Sequence, residues 1–282
     1  MKVPIIILNY NTSSDCRKCI SFLKKQQGID IEIVVVDNCS SEDDLKNLRS
    51  LCEEVQCTLI ENHENKGYNA GNNIGLRYAA DKGYKYALIA NPDMEFPNRN
   101  YIIELLTTIS SSSEIVACGS DIIGLDKRHQ NPLKKDDKWI YSYFWIPLLF
   151  KKKNKSVGIH TEDYKQSHNC YKLHGCCFLL SIPFIKSIGF LDEHTFLYCE
   201  ESILARQVLL KGKKIFYNAS VQAVHAHINS HKGNPILRMK QWKNSRIYFI
   251  NKYSGYSWIG KRLAILSISF YVLIFSILKR IH

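Results

Sequence analysis

The C-terminal part of the chain lacks acidic residues. Glu201 is the last carboxylate side chain, and the segment 202–282 holds 14 of the 38 Lys and Arg residues. The preceding segment is nearly neutral, with 24 basic against 26 acidic side chains. The net charge of +12 is therefore concentrated at one end of the chain. Such an asymmetry predicts an anionic partner, either a phospholipid surface or a nucleic acid.

Sequence signals for secretion are also missing. The apolar run at residues 5–8 passes directly into polar residues, without a small-residue cleavage site. We therefore expect the ten cysteines to be reduced, in a cytosolic compartment. Cys16 and Cys19 form a C-x-x-C pair, but no second such pair and no histidine pair completes a zinc set.

No apolar run is long enough to predict a perpendicular membrane span. Leu263–Leu278 has sixteen residues, and a span needs about 20. Basic pairs bracket this run, and basic flanks with interspersed aromatic residues are typical of a helix lying in the membrane interface. A helix packed on the protein core is the alternative. A second aromatic stretch, residues 139–150, is flanked by lysines and also predicts membrane contact rather than nucleic-acid binding, which would leave apolar side chains exposed.

Apolar, strand-length runs alternate with helical patterns in the first 120 residues. Strands are predicted at 3–8, 31–36, 58–61 and 86–90. Helices are predicted at 14–26, from the residues after 41 to about residue 51, and at 74–82. Further strands are predicted at 173–181 and 214–217, and a helix at 200–211. Because the early strands are apolar on both faces, we expect an α/β fold with a mainly parallel sheet flanked by helices.

Polar clusters follow three of these strands, at Asn9–Asn11, Asp37–Ser40 and Asn91–Asp93. Ligands of an open parallel sheet bind at the carboxyl ends of its strands, so we expect the clusters to line one crevice. A carboxylate there accepts hydrogen bonds from a nucleotide or binds a divalent cation. The alternative is that each cluster caps the helix or turn that follows it. The segment Asn65–Gly75, with three glycines and four asparagines, permits close backbone approach to a ligand but lacks the Gly-Lys-Ser/Thr of a P-loop.

The ordered set of segments resembles the inverting glycosyltransferases of family 2, in particular the bacterial rhamnosyltransferase-like group that builds surface polysaccharides. The segments are IIILNYN (5–11), VVVDNCS (34–40), NKGYNAGNN (65–73), LIANPDME (88–95), HGCCFLLS (174–181), GFLDEHTFLYCEES (189–202) and VHAHINS (224–230). The resemblance covers roughly residues 3–250. It implies a GT-A fold with a Rossmann-like central sheet and, beyond it, an apolar helical tail. The implied parts are a nucleotide-sugar-binding half (1–120), an acceptor-binding half with the catalytic pair (121–230) and a basic membrane-associating tail (231–282).

The resemblance also implies roles for individual residues. Asp93 would be the last carboxylate of a metal-binding Asp-x-Asp motif for Mn²⁺ or Mg²⁺, and His225 would complete that site, with His227 as the second choice. Glu200 and Glu201 would supply the catalytic base, and His174 would lie near the acceptor. The residues implied to bind the nucleotide-sugar are Asn9, Asn11, Asp37, Asn65, Gly67, Asn69, Asn73 and Asn91.

The implied reaction moves rhamnose or another hexose from a dTDP- or UDP-sugar to a polyprenyl-diphosphate-linked saccharide at the cytoplasmic face of the membrane. Two residues depart from the family pattern. Glu201 replaces the usual Asp, and Ile203 stands where relatives often carry a second Asp. These departures leave open an alternative function, a catalytically weak subunit that binds nucleotide-sugars or glycans within a polysaccharide assembly complex.

Overall fold

The structure is a computed structural model that describes residues 1–135, 163–227 and 234–281. Within these ranges the strands are β1 (Lys2–Asn9), β2 (Asp30–Asn38), β3 (Thr58–Asn62), β4 (Tyr86–Ala90), β5 (Met94–Glu95), β6 (Ile115–Gly124), β7 (His168–Cys170), β8 (Cys177–Ser181) and β9 (Lys214–His225). The helices are α1 (Ser13–Leu23), α2 (Glu42–Val55), α3 (Tyr68–Asp81), α4 (Tyr101–Ser110), α5 (Ile182–Ser187), α6 (Glu200–Leu210), α7 (Pro235–Lys252) and α8 (Trp258–Ile281). The ten cysteines lie within the described residues, and none of them is joined in a disulfide there.

The strands form one mixed sheet in the order β3-β2-β1-β4-β8-β6-β9-β5, with β7 paired to β9. The first four strands are parallel, and β8 joins them to the rest of the sheet through antiparallel pairs with β4 and β6. Asn9 pairs with Asp37, and Ile7 pairs with Ala90 on the other side of β1. The polar clusters after β1, β2 and β4 therefore lie at the same edge of the sheet.

Helices cover both faces of the sheet because its central strands are apolar on both sides. Ile5 and Ile7 of β1 pack in the core shared with α1, α2 and α4. Ile6 and Leu8 point the other way and pack in the core shared with α3, α5 and α6. The alternation follows from the two-residue period of a strand. Two hydrophobic cores, one on each face of the sheet, thus fix the position of the edge at which the polar clusters lie.

Several predicted boundaries were wrong. The helix predicted from residue 74 begins at Tyr68, so most of the glycine-rich segment is helical. A Cβ atom at Gly71 or Gly75 would lie 2.5 Å from a side-chain atom of Leu8 or Ile6, respectively. These two glycines therefore allow α3 to pack closely on β1, which favours a helix where the composition suggested a loop. The helix predicted to reach residue 26 ends at residue 23, and the strand predicted at 173–181 is confined to its last five residues.

The C-terminal helix extends beyond the apolar run at 263–278 on both sides. Helix α8 has 24 residues, and Trp258–Lys279 is the one helical segment within the described ranges that is long and apolar enough to cross a membrane. The prediction that the apolar segment is too short to span a membrane was therefore wrong, because the helical segment is longer than the run at 263–278. Only 17% of this segment is buried against the protein. Ala264, Ile268 and Val272 form its buried side. The aromatic stretch 139–150 lies outside the described residues.

Candidate active site

Strand pairing brings Asp93 to two histidines that are far from it in sequence. Met94 of the short strand β5 pairs with His225 at the end of β9, and the Ala226 N–H donates to the Asp93 carbonyl at 2.8 Å. The turn Asn91-Pro92-Asp93 is thereby fixed beside the end of β9. His225 and His227 both face the Asp93 side chain, whereas the sequence ranked His227 second.

The Asp93 carboxylate contacts one imidazole with each oxygen. Its Oδ1 lies 3.4 Å from His225 Nε2, and its Oδ2 lies 3.1 Å from His227 Nδ1. The Gln130 Oε1 atom accepts a hydrogen bond from His225 Nδ1 at 2.8 Å, which leaves Nε2 of a neutral ring without a proton. Burial raises the pKa of Asp93, but the two imidazoles outweigh burial and hold that pKa below its usual value.

This donor set fits a divalent cation. One ligand atom from each of Asp93, His225 and His227 lies within 4.8 Å of the other two. Asp93 Oδ1 is buried and has no hydrogen-bond partner in the described part of the chain. It lies 3.4 Å from Nε2 of His225, a ring nitrogen that can bind a metal ion when it carries no proton. Ligand atoms at right angles on a cation, each at about 2.1 Å, lie about 3.0 Å apart, close to the 3.4 Å between Asp93 Oδ1 and His225 Nε2.

The two adjacent glutamates begin helix α6. Tyr198 and Cys199 precede them with φ values of 75° and 68°, a left-handed backbone that side chains rarely adopt and that is often found at functional sites. This turn directs the pair into the site at the positive end of the helix dipole. Glu201 Oε1 accepts a hydrogen bond from the Gly175 N–H at 3.1 Å.

Glu200 differs from its neighbour. Its Oε1 is buried without a hydrogen-bond partner in the described ranges. Burial, reinforced by the negative charge of Glu201, raises the pKa of Glu200 to about 8. At neutral pH Glu200 is therefore largely protonated.

The segment His174–Cys176 lies between the metal cluster and the glutamates. The Asn91 N–H donates to the Cys176 carbonyl at 2.8 Å, and the rings of His174 and His225 are 5.4 Å apart. On the other side Gly175 contacts Glu201. Asp93 and His225 therefore lie on one side of this segment, and Glu201 contacts it from the other side.

Tyr68 is a site residue that the sequence analysis missed. Its hydroxyl lies 2.9 Å from Asn91 Oδ1 and 2.6 Å from the Gly175 carbonyl, and it lines a hollow with Glu200 and Glu201. Burial, together with nearby acidic groups, raises its pKa well above the usual value, so the hydroxyl stays protonated. An aromatic residue within a Gly/Asn-rich segment was the available signal.

Burial lowers the pKa of His174 to about 4, so this imidazole is neutral at physiological pH. Its Nδ1 accepts the Cys176 N–H at 3.2 Å. The ring thus stabilises the segment His174–Cys176, which lies between the Asp93 cluster and the glutamates, by a hydrogen bond within the segment.

The polar residues after β1 and β2 bind each other. Asn9 Nδ2 donates to Asp37 Oδ1 at 2.9 Å and to Asp44 Oδ2 at 2.8 Å. Asp37 Oδ2 accepts the Ser40 N–H at 3.0 Å, and Asn11 Oδ1 accepts the Ser41 N–H at 2.8 Å. These contacts agree with the alternative given in the sequence analysis, in which each polar cluster stabilises the turn or helix that follows it. A nucleotide contact by Asp37 stays a prediction.

The glycine-rich segment supports the loop before the glutamates. Gly67 has φ 104°, and a Cβ atom there would lie 2.3 Å from the Phe196 carbonyl oxygen. The side-chain amides of Asn69 and Asn73 donate to the carbonyls of Asp192 and Leu191, each at 2.8 Å.

Asn65 holds the start of the same segment, because its Oδ1 accepts from Asn38 Nδ2 and from the Gly67 N–H, each at 3.0 Å. Asparagines predicted to bind a nucleotide thus position the loop that leads to Glu200, and their ligand contacts stay predictions.

Comparison with known proteins agrees with this arrangement. The family model described as Glycosyl transferase family 2 matches residues 5–180. The chain belongs to glycosyltransferase family 2. This glycosyltransferase is 28% identical over 227 residues to the low-salt glycan biosynthesis hexosyltransferase Agl10 of Haloferax volcanii, which covers 79% of this chain and 66% of that one. It is 24% identical over 226 residues to the O-antigen chain rhamnosyltransferase WbaN of Salmonella anatum, covering 79% of this chain and 65% of that one.

The glycosyltransferase spans between 54% and 66% of the length of the first curated relatives it matches. Among solved structures it resembles the mannosyltransferase PcManGT from Pyrobaculum calidifontis in complex with GDP-Man and Mn²⁺, with a TM-score of 0.62 and 16% identity over 96% of this chain and 69% of that one. It also resembles GalNAc-T7 with UDP, GalNAc and Mn²⁺, with a TM-score of 0.63 and 16% identity over 90% of this chain and 49% of that one. The predicted GT-A fold is confirmed.

A buried carboxylate ties the site of this glycosyltransferase to its C-terminal helices. Asp192 Oδ2 accepts hydrogen bonds from the hydroxyls of Tyr248 at 2.8 Å and Tyr253 at 2.5 Å, and from Lys252 Nζ at 3.1 Å. Burial opposes the charge of Asp192, but these donors and His194 hold its pKa far below the usual value. The sequence analysis missed this residue, because its partners lie some 60 positions away in α7.

Proposed function

We propose that this glycosyltransferase is an inverting, metal-dependent hexosyltransferase of surface polysaccharide biosynthesis. It transfers rhamnose or another hexose from a dTDP- or UDP-sugar to a polyprenyl-diphosphate-linked saccharide at the cytoplasmic face of the membrane. The observation that carries the proposal is the position of the Asp93 cluster and the Glu200–Glu201 pair on either side of His174–Cys176. Relatives named as a glycan hexosyltransferase and an O-antigen rhamnosyltransferase support the substrate class.

Asp93 and His225, with His227 beside them, would hold the cation. When bound, Mn²⁺ or Mg²⁺ stabilises the negative charge that develops on the departing nucleoside diphosphate. A carboxylate oxygen suits either ion, and imidazole nitrogen shifts the preference towards Mn²⁺. Gln130 keeps Nε2 of His225 directed at Asp93 through the hydrogen bond at the other ring nitrogen.

Glu201 is assigned as the catalytic base. The Gly175 N–H stabilises its carboxylate, whereas Glu200 has a buried Oε1 without a donor in the described ranges and a pKa raised to about 8. Glu200 therefore stays largely protonated at neutral pH, and the base is assigned to Glu201. It takes the proton of the acceptor hydroxyl as that oxygen attacks the anomeric carbon. A single displacement of this kind inverts the anomeric centre, whereas retention needs a nucleophile and a second step.

The nucleotide-sugar is assigned to the carboxyl ends of β1, β2 and β4. Asp37 and Asn11 would contact the nucleoside, and Asn91 would lie beside the cation. The loop Asn65–Asn73 would close the pocket from the side of α3. The internal hydrogen bonds of these residues hold the crevice in shape before the donor binds.

Membrane association would bring the enzyme to its lipid-linked acceptor. Segment 202–282 carries no carboxylate side chain, so it is attracted to anionic headgroups. Helix α8 exposes an apolar stripe whose side chains, from Ile259 to Ile277, are between 47% and 66% exposed. The stripe and the basic residues near it suit a helix inserted in the membrane or lying at its surface.

Two measurements test the proposal. Nucleotide-sugars are first screened by thermal shift with and without Mn²⁺, because a ligand that binds only the native state raises its apparent stability. The best donor is then incubated with lipid-diphosphate saccharides, using the wild type and Asp93→Asn. Metal-dependent binding and transfer in the wild type, both lost in the variant, are expected. Absence of transfer from every donor, with donor binding unchanged in Asp93→Asn, would contradict the proposal.

One observation favours the alternative of a binding subunit. Ile203, at a position where relatives often carry an Asp, is buried against Phe249 and Tyr253. The position contributes to the core here and offers no acid. Normal donor binding without turnover, even with the correct acceptor, would identify the chain as such a subunit.

A further inference from the structure

A groove with a cavity volume of about 300 Å³ lies between helices α7 and α8. Ligand sites in proteins commonly measure about 300–1,000 Å³. Its walls are formed by Arg238, Met239 and Trp242 of α7, Tyr271 and Phe275 of α8, and Tyr198. The rings of Trp242 and Tyr271 meet edge to face with centroids 6.4 Å apart, which joins the two helices along one wall. The groove is therefore apolar and aromatic except at one point.

The exception is one positively charged side chain. Arg238 is the only charged residue among those that line the groove in the described part of the chain. Its Nε is buried and has no hydrogen-bond partner among the described residues. A buried donor without an acceptor is unfavourable, so the position suits an anion that enters the groove. A guanidinium binds phosphate oxygens with two parallel N–H donors, and residues 202–282 offer no carboxylate to compete.

The groove borders the turn that precedes the catalytic pair on one side and helix α8 on the other. Tyr198 lines it two residues before Glu200, within the left-handed turn that directs the glutamates into the site. Tyr271 and Phe275 belong to the same helix as the exposed apolar stripe. A ligand in the groove would thus have one end near the turn before Glu200 and the other end near α8.

We propose that this groove binds the diphosphate and the first isoprenoid units of the lipid-linked acceptor, with Arg238 on the phosphate and the aromatic side chains on the hydrocarbon. The inference rests on the proposed function and adds to it the site and the residues that select a lipid-diphosphate acceptor. Charge complementarity at Arg238 and the apolar walls on either side of it favour an amphiphilic anion over a free saccharide.

Acceptor discrimination provides the first test. Arg238→Gln is compared with Lys240→Gln, which removes an exposed charge from the same helix. For a lipid-diphosphate saccharide, KM is expected to rise about tenfold or more in Arg238→Gln, because a charge-assisted bidentate contact is lost. It should stay within about twofold of the wild type in Lys240→Gln, as for an exposed charge. Transfer to a water-soluble alkyl glycoside without diphosphate should be unchanged in both. An equal loss with both acceptors in Arg238→Gln would overturn the proposal.

Direct binding provides a test that needs no turnover. Farnesyl diphosphate is titrated while tryptophan fluorescence is recorded, and Trp242→Phe identifies the part of the signal that comes from the groove. Saturable quenching that is lost in Arg238→Gln and partly kept in Arg238→Lys is expected, with farnesol and inorganic diphosphate binding more weakly. Melting temperatures show that each variant is folded.

Equal binding of inorganic diphosphate would mean an anion site only and would overturn the lipid assignment. Absence of quenching in the wild type would overturn the groove itself. If farnesyl diphosphate binds but no acceptor is ever glycosylated, the proposed function fails and the groove stands.

Discussion

Replacing Glu200 by Gln tests the electrostatics of the carboxylate pair. Glu200 is partly buried beside Glu201, with a buried Oε1 that lacks a partner in the described ranges and a pKa raised to about 8. Glutamine has nearly the size and shape of a protonated glutamate but cannot ionise. The substitution therefore removes the charge and leaves the packing in place.

The expected magnitude follows from proton linkage. An unfolded glutamate loses its proton near pH 4.5, whereas native Glu200 keeps its proton up to about pH 8. Between these values the native state binds more protons than the unfolded state, so wild-type stability falls as the pH rises. The slope approaches about 1.4 kcal/mol per pH unit, which gives up to about 5 kcal/mol by pH 8. Glu200→Gln should therefore be more stable than the wild type at pH 8 and gain little at pH 4.5.

Urea unfolding at pH 5, 6.5 and 8 measures this difference. The matched control is Glu104→Gln, which changes an exposed glutamate in the first turn of α4. Its difference from the wild type should not grow with pH. A Glu200→Gln difference that is the same at pH 5 and pH 8 would refute the reasoning, because native Glu200 would then ionise like an unfolded residue.

Other substitutions follow from the same geometry. Glu201→Gln is expected to lower the transfer rate by about 10²–10⁴, the usual contribution of a general base, while Glu200→Gln keeps most of its activity at neutral pH; equal losses would contradict the assignment. Gln130→Met removes the acceptor that orients the metal-site imidazole and should weaken Mn²⁺ binding about 10–100-fold by calorimetry; unchanged affinity would show that the orientation does not matter. Gly67→Ala should lower the free energy of unfolding by about 2 kcal/mol or more, and by more than the control Gly83→Ala does. At Gly83 φ is also positive, but nothing lies within 4 Å of an added Cβ atom. Equal losses for the two variants in urea unfolding would contradict the close contact at Gly67.

The sheet edge was predictable because its signals are local. Strands β1, β2 and β4 are apolar on both faces, and polar residues stand where each of them ends. Parallel pairing then brings these ends together without further information. The ordered motifs added the expectation that Asp93 and His225 act at one site, and the strand register agrees with it.

The helix start at Tyr68 was not predictable from composition. Glycine and asparagine favour turns in isolation, but Gly71 and Gly75 contact Leu8 and Ile6 of β1. Tertiary packing therefore decides the conformation of this segment. The role of Tyr68 depends on the same packing, because its hydroxyl reaches Gly175, which lies 107 positions away in sequence.

The positions of His227, His174 and Asp192 depend on contacts that spacing does not encode. His227 meets Asp93 only because β5 pairs with the end of β9. The partners of Asp192 come from α7, and the length of α8 comes from residues before the apolar run, where Gly260 and two basic residues interrupt the pattern. The three-part division of the chain, and the roles of the nucleotide-binding residues, stay predictions.

The most direct test of the account is where the cation binds. Crystals of the wild type grown with Mn²⁺ and a nucleoside diphosphate are measured at the manganese absorption edge. The account predicts one anomalous peak bonded to Asp93 and His225, with the diphosphate beside it and the Glu200–Glu201 pair facing the same hollow. Manganese bound to other residues, or a nucleotide bound away from Asp93, would contradict it.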